Sequence, residues 1–214
     1  TVTEVVKITP ARTMTSAPFT FDQTITVGSS GTLKDGNHTL TITVTDAAKR
    51  TTSETRTVKV DTTKPIIDSA TIASASVFMD VSQYNALTVV AADKESTATG
   101  LAGVYYQVVA KDTTAPTYSD ATADAWSPLA SARNWTANIQ FTEEGSYDIY
   151  VVAVDNAGNV SEITEADKSV MVDAQKPVIS VDTTGKTVAK AADITYTVTV
   201  TDTNPKSVSA TVKK

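Results

Sequence analysis

Hydrophobic and polar residues alternate with a period of two along several stretches of this chain, which is the pattern of half-buried β-strands. The clearest stretch is residues 147–154, which is rich in β-branched and aromatic side chains. One face of this predicted strand carries the more apolar set, namely Tyr147, Ile149, Val151 and Ala153. We expect that face to point into a core, because successive side chains of a strand point to opposite sides.

The pattern repeats within the chain. An apolar strand runs from a glycine to an aspartate ten positions later at residues 36–46 and again at residues 145–155. A Lys-Pro pair follows each copy, at residues 64–65 and 176–177. Proline cannot donate to a strand ladder, so these pairs indicate domain boundaries. The two prolines are 112 positions apart, which is the size of a whole β-sandwich domain.

The junctions divide the chain into three predicted modules, at residues 1–63, 64–175 and 176–214. The central module is the complete one, with strands predicted at residues 66–67, 77–79, 86–93, 104–109, 135–141, 147–154 and 169–172 and an irregular stretch at 110–132. The first module has strands predicted at residues 2–8, 19–27, 40–46 and 57–60 and lacks the opening strands. The third contains opening strands only, predicted at the Pro177 junction and at residues 194–202 and 207–212.

The two partial modules together match one complete module, and two explanations remain open. Each part alone exposes unpaired strand edges and half a core. The third module of one copy can complete the first module of the next copy, head to tail, which builds chains rather than closed dimers. Alternatively, the chain is an excised segment of a longer tandem-repeat protein.

Composition excludes several classes of function. The chain of 214 residues has a net charge of −6, which argues against nucleic acid as a partner. It contains no cysteine, so disulfides, thiolate catalysis and thiolate metal sites are excluded. No apolar run approaches the length of a membrane span, and no signal peptide is visible. We also find no paired acid–base constellation, so we expect a protein that is not an enzyme.

One motif resembles a known family. From Gly145 the chain reads Gly-x-Tyr-x-Ile-x-Val-x-Ala-x-Asp-Asn-Ala-Gly-Asn-Val-Ser, and from Val170 it reads Val-x-Val-Asp-x-x-x-Pro-x-Ile. This pattern resembles bacterial immunoglobulin-like (Ig-like) domains, which occur in tandem on large surface and secreted proteins. The resemblance implies an all-β fold of tandem Greek-key Ig-like β-sandwiches, here one complete and two partial, without a required disulfide. It is weaker at residues 35–67, because residues 46–49 lack the Asn-Ala-Gly-Asn turn.

Acidic residues recur at the predicted strand ends and junctions. Ca²⁺ takes six to eight oxygen ligands, from carboxylates, amide carbonyls and backbone. A calcium ion at a junction would stiffen an array of tandem sandwiches. The candidate ligands are Asp61, Asp93, Asp155, Asn156 and Asp173. The alternative is that these residues form Asx-turns and side-chain caps, as Asp and Asn do at strand ends generally.

Aromatic residues and the single histidine are the remaining candidates. Trp126 and Tyr118 lie in the irregular stretch, where exposed rings would offer a platform for a sugar, whereas Trp135 lies on a strand and is expected in the core. His38 falls at the repeat position of Tyr147, which resembles the tyrosine corner of sandwich folds. We therefore expect His38 to be structural.

These observations predict an extracellular, non-enzymatic structural or adhesive repeat region of a cell-surface or secreted bacterial protein, of adhesin or S-layer type. It would act as a semi-rigid stalk, lattice or fibre-forming module, with neighbouring Ig-like modules as its partners and a host or matrix ligand left open. The alternative is an accessory carbohydrate-binding or spacer module of a secreted glycoside hydrolase.

Overall fold

A computed structural model describes residues 33–73, 78–80, 84–95, 98–131, 133–182 and 196–211. The strands predicted at residues 2–8 and 19–27 lie outside these ranges. The described residues form β-strands, turns and one short 3-10 turn at Ala123–Ala125. The all-β prediction is confirmed. Among the described residues, no helix has the length and apolar character needed to cross a membrane.

Fourteen strands are present in the described part of the chain. In chain order they are β1 (Gly36–Thr45), β2 (Thr51–Val60), β3 (Ile66–Ile72), β4 (Phe78–Met79), β5 (Tyr84–Ala92), β6 (Leu101–Ala110), β7 (Ser127–Pro128), β8 (Ala130–Ser131), β9 (Trp135–Gln140), β10 (Gly145–Asp155), β11 (Thr164–Glu165), β12 (Val170–Val172), β13 (Val178–Asp182) and β14 (Thr197–Thr201).

Strands β3 to β12 form two sheets, which we call the central sandwich. One sheet has the strand order β3-β5-β9-β8, and the other has the order β4-β12-β10-β6-β7 with β11 also paired to β10. Neighbours are antiparallel except for the parallel pair of β12 and β4. Apolar side chains from both sheets form one core, as expected for a sandwich-like arrangement. Its fully buried members are Leu87, Val89, Val104, Ile149, Val151 and Ala153.

Strand β10 has a buried side chain on both of its faces. The face predicted to point inward does so, because Ile149, Val151 and Ala153 are fully buried. The opposite face is also covered, since Val152 packs against Trp126 in a second, smaller apolar cluster. The irregular stretch that follows β6 therefore folds back over the outer surface of β10. Alternation alone did not predict this second layer.

Two two-stranded hairpins flank the central sandwich in sequence. Among the described residues, β1 and β2 pair with each other and with no other strand, as do β13 and β14. Their apolar side chains remain largely exposed, including Ile42, Val44, Val181 and Val198. The prediction of a strand at 207–212 is not supported, because residues 207–211 have no regular structure.

Candidate metal centre at the first junction

Three aspartates from separate parts of the chain meet at one end of the central sandwich. Asp61 follows β2, Asp93 follows β5, and Asp155 is the last residue of β10. One carboxylate oxygen of each lies within 4.8 Å of those of the other two. Asp61 and Asp155 are buried and Asp93 is half-buried. Three of the five predicted metal ligands therefore share one site.

The spacing of the three oxygens suits a single hard cation. Ca²⁺ binds oxygen at about 2.3–2.6 Å, so two oxygens on one ion are separated by at most about 5 Å. Three carboxylates at this separation repel one another. Within the described residues, no lysine or arginine forms an ion pair with Asp61, Asp93 or Asp155. A divalent cation would offset this concentration of negative charge.

The turn after β10 fixes the carboxylate of Asp155. Its Oδ1 accepts hydrogen bonds from the backbone N–H groups of Ala157 and Asn159, both at 2.8 Å. Its Oδ2 accepts a hydrogen bond from Nδ2 of Asn159 at 2.8 Å. The same Nδ2 donates to the backbone oxygen of Asp61 at 3.1 Å, which ties β10 to the junction. Asn159 was not among the predicted ligands, although it belongs to the same Asn-Ala-Gly-Asn motif.

Backbone N–H groups orient the other two carboxylates. Asp61 accepts hydrogen bonds from Thr63 at 3.1 Å and from Thr99 at 2.7 Å. Asp93 accepts one from Gly100 at 2.8 Å through its Oδ2. The bond from Thr63 is the Asx-turn contact that was the alternative to metal binding, whereas the bonds from Thr99 and Gly100 come from the loop beside the cluster. A carboxylate that accepts such bonds can also bind a cation.

Two polar atoms beside the cluster have no partner among the described residues. Oδ1 of Asp93 and Oγ1 of Thr99 are both buried from solvent and form no hydrogen bond there. Leaving a buried polar atom unsatisfied costs about 1–3 kcal/mol, and more for a charged group. An oxygen-binding cation at the cluster would satisfy the Asp93 oxygen. Thr99 carries no sequence signal that would have identified it.

The other two predicted ligands serve different purposes. Asn156 donates its side-chain N–H groups to the backbone oxygens of Thr99 and Gly100, both at 3.0 Å, so it braces the loop beside the cluster. Asp173 lies at the second junction, where it accepts a hydrogen bond from the N–H of Gln175 at 3.0 Å. The three-carboxylate cluster therefore lies at the first junction, whereas Asp173 belongs to the second. The two junctions have the same local sequence pattern, and pattern alone does not separate them.

Polar contacts also hold the β1–β2 hairpin at this junction. The carboxylate of Asp35 accepts hydrogen bonds from the hydroxyls of Thr62 and Thr63, at 2.8 and 3.0 Å. The hydrogen bond from Thr62 lowers the pKa of Asp35. On the other side, Nζ of Lys59 donates to the backbone oxygen of Ala98. The hairpin is thus bonded to the linker through Asp35 and to the loop of the central sandwich through Lys59.

The aromatic candidates do not form an exposed platform. Trp126 is only 5% exposed, and its indole N–H donates to the backbone oxygen of Thr117 at 3.2 Å. The expectation that its ring is exposed is therefore wrong. Tyr118 is half-buried and meets Trp126 edge-on, with 5.6 Å between ring centroids. Tyr118 also borders a shallow surface cavity of about 400 Å³ beside Val160.

His38 and Tyr147 occupy equivalent places, as the repeat predicts. The Tyr147 hydroxyl donates to the backbone oxygen of Glu143 at 3.1 Å. Nε2 of His38 bonds the backbone oxygen of Lys34 at 2.6 Å, also four residues upstream. Since a carbonyl oxygen only accepts, Nε2 carries the proton. This contact supports the structural role expected for His38.

Neither a protein-family model nor a curated protein sequence matches this chain.

Proposed function

We propose that this chain is a non-enzymatic structural or adhesive segment of a bacterial surface or secreted protein, built from tandem Ig-like β-sandwiches with a Greek-key topology. Its work is mechanical, since it holds neighbouring modules at a fixed spacing and angle. The described sheets, the internal repeat and the absence of cysteine support this proposal. Ligand contacts, where they occur, would lie on loops.

The three-carboxylate cluster carries the proposal, because it lies where stiffness between modules is decided. Asp61 belongs to the linker, whereas Asp93 and Asp155 belong to the central sandwich. We propose that Ca²⁺ bound by these three residues fixes the linker against the sandwich. Oδ1 of Asp93 would serve as one ligand, because it is buried and lacks another partner among the described residues.

Calcium binding would make stability depend on calcium concentration. A ligand that binds only the folded state adds about 2.7 kcal/mol of stability at one hundred times its Kd. Extracellular calcium modules bind with Kd of about 10⁻⁴–10⁻³ M. We therefore expect the melting temperature of the chain to rise by several degrees between 1 mM EDTA and 10 mM Ca²⁺.

Two substitutions and a matched control test the site. Asp93→Asn keeps an oxygen that accepts from Gly100 and removes the charge, and Asp155→Asn does the same in the turn. Both variants should lose the calcium response in calorimetry and in thermal melts. Asp46→Asn is the control, because Asp46 forms an equivalent turn after β1 and is absent from the described carboxylate cluster.

The proposal of a calcium junction fails if the unmodified chain shows no heat of calcium binding and no shift in melting temperature. It also fails if Asp46→Asn abolishes the response as fully as Asp93→Asn does. We do not propose the carbohydrate-binding alternative, because the ring of Trp126 is buried and the half-buried ring of Tyr118 packs against Trp126 and Tyr105.

A further inference from the structure

The β1–β2 hairpin has an apolar side whose counterpart in the central sandwich is buried. Gly36 pairs with Val60 in the hairpin, as Gly145 pairs with Val172 in the sandwich. Ile42 therefore corresponds to Val151. Ile42 is 46% exposed, whereas Val151 is fully buried. The other side of β1 carries only Asn and Thr, so β1 has one side that is suited to a core. On that side β2 contributes Val58 and Val60 next to the linker, and the ion pair of Arg56 with Glu54 farther along the hairpin.

Strand β1 also has an unpaired edge. In the central sandwich, β10 is flanked by β12 on one edge and by β6 on the other. The equivalent strand β1 is flanked by β2 alone within the described residues. A free edge next to an exposed apolar side is a surface on which another strand can add.

The β13–β14 hairpin has the complementary apolar side. Ile179 pairs with Val200 in this hairpin, and Ile67 pairs with Ala91 between β3 and β5. The two pairs correspond, because Ile179 and Ile67 each lie two residues after the proline of a Lys-Pro junction. Val198, on this side, is 47% exposed. In the central sandwich, the equivalent sides of β3–β5 and of β10–β12 pack against each other in one core. The chain thus contains both halves of a second core of this kind, and none of the described residues covers either half.

The two hairpins attach at opposite ends of the central sandwich. The first linker meets Asp155, at the end of β10, whereas the second follows Val172, which pairs with Gly145 at the start of β10. Strand β10 has 11 residues and so spans about 35 Å. Each linker, 61–65 and 173–177, has five residues and reaches about 17 Å at most. The hairpins are therefore anchored about 35 Å apart, so a contact between the two hairpins of one molecule would require at least one of them to fold back along the sandwich.

We propose that a second copy of this chain covers the exposed apolar side of β1–β2 with its own β13–β14 hairpin. Residues 207–211 of that second copy, which follow β14 as β6 follows β5, add to the free edge of β1. The contact joins two different surfaces, so it leaves one free surface of each kind and propagates head to tail. It is independent of the calcium proposal, because neither hairpin side contains Asp61, Asp93 or Asp155.

Light scattering of the 214-residue chain over a concentration series in EDTA is the first test. The average mass should increase with concentration through several multiples of one chain. We call the apolar side of β1–β2 the acceptor surface and the apolar side of β13–β14 the donor surface. Ile42→Lys places a charge on the acceptor surface and Val198→Lys places one on the donor surface. Each variant alone should stay monomeric. Thr41→Lys and Thr199→Lys alter the opposite sides of the same strands and should assemble as the unmodified chain does.

A mixture of the two non-assembling variants distinguishes this contact from any other. The Ile42→Lys chain keeps its donor surface and the Val198→Lys chain keeps its acceptor surface. Their equimolar mixture should form a one-to-one dimer and nothing larger. Fluorescence of Trp126 and Trp135 checks that the central sandwich stays folded in every variant.

Several outcomes would overturn the proposal. One is an unmodified chain that is monomeric at all concentrations, as expected if residues 1–32 cover the β1–β2 side. Another is a closed dimer that does not grow with concentration. A third is a mixture of the two variants that remains monomeric. Calcium binding would be unaffected by each of these results, so the two proposals fail separately.

Discussion

The β1–β2 hairpin and the β10 region of the central sandwich share a local structure and differ in burial. The turn after β1 repeats the turn after β10 bond for bond. The side chain of Asp46 accepts hydrogen bonds from the backbone N–H groups of Ala48 and Arg50. The side chain of Asp155 accepts the equivalent bonds from Ala157 and Asn159, which are likewise two and four residues later. Even the side chain of Arg50 takes the place of the Asn159 amide.

This likeness separates local from tertiary causes. The strand, its register and its turn form in both regions, so they follow from the local sequence. Burial differs because β10 has a facing sheet and a second ladder partner, and the described residues supply neither to β1. A two-stranded hairpin alone is marginally stable in water. The comparison therefore predicts that equivalent substitutions have unequal effects.

The largest difference is expected for an isoleucine-to-alanine substitution in each region. Ile149→Ala removes a fully buried side chain and should cost about 2–5 kcal/mol of stability. Ile42→Ala should cost less than about 1 kcal/mol in the monomer, because this side chain is half exposed. Amide hydrogen exchange at low protein concentration measures both regions in one experiment. Equal costs would mean that another part of the chain buries the β1 side.

The next effect concerns the fourth residue of the shared turn. Gly158 has φ of 91° and its counterpart Lys49 has φ of 67°. A side chain in this left-handed region costs about 1 kcal/mol. Gly158→Lys should therefore destabilise the central sandwich by about that amount in urea, since no neighbouring atom would contact the added Cβ. Lys49→Gly should slow amide exchange in β1–β2. If neither Gly158→Lys nor Lys49→Gly changes the stability of its region, the two turns are not equivalent at this position.

A smaller effect is expected where the two regions use different residues for one contact. Tyr147→Phe removes the hydrogen bond to Glu143 and keeps the packing of the ring on Phe141. The loss of this one bond should lower the free energy of unfolding in urea by about 0.5–1.5 kcal/mol. His38→Phe removes the equivalent bond to Lys34, and we expect no effect on the sandwich because no described strand of the sandwich pairs with β1 or β2. Its urea midpoint, followed by tryptophan fluorescence, should match that of the unmodified chain. A shift in that midpoint would show that the hairpin and sandwich unfold together.

Sequence reasoning predicted what depends on neighbours along the chain. Alternation identified the strands, and the inward side of β10 was correct at Ile149 and Val151. It failed where a distant segment decides the outcome. Trp126 was expected to be exposed because its stretch is irregular, yet that stretch covers the outer side of β10.

The candidate site shows the same limit. Asp61 and Asp173 each follow a matching strand and precede a Lys-Pro pair, so the local sequence does not distinguish the two aspartates. They differ because the loop at Thr99 and the turn at Asp155 meet Asp61 in space. The residue types were predictable from calcium chemistry, and the grouping required the folded chain.

The smallest expected effect is a difference in how one carboxyl group of each region influences the acid unfolding of the sandwich. Asp167 links the two sheets, since its Oδ1 accepts from the N–H of Ile72 at 2.8 Å and its own N–H donates to Ala70. Partial burial disfavours its charged form, but the bond from Ile72 and the ion pair with Lys168 outweigh this and lower the pKa of Asp167.

A carboxyl group with a lowered pKa in the folded state stabilises that state above the unfolded pKa of about 4, and this stability is lost as pH falls through the folded pKa. Asp167→Asn should therefore reduce the stability of the sandwich at pH 7 and flatten its decline below about pH 4. Asp46 also has a lowered pKa, through the N–H of Arg50, but it lies in the exposed hairpin. Asp46→Asn should leave the acid unfolding of the tryptophan-containing sandwich unchanged. If Asp46→Asn flattens that profile as much as Asp167→Asn does, the hairpin and the sandwich form one cooperative unit.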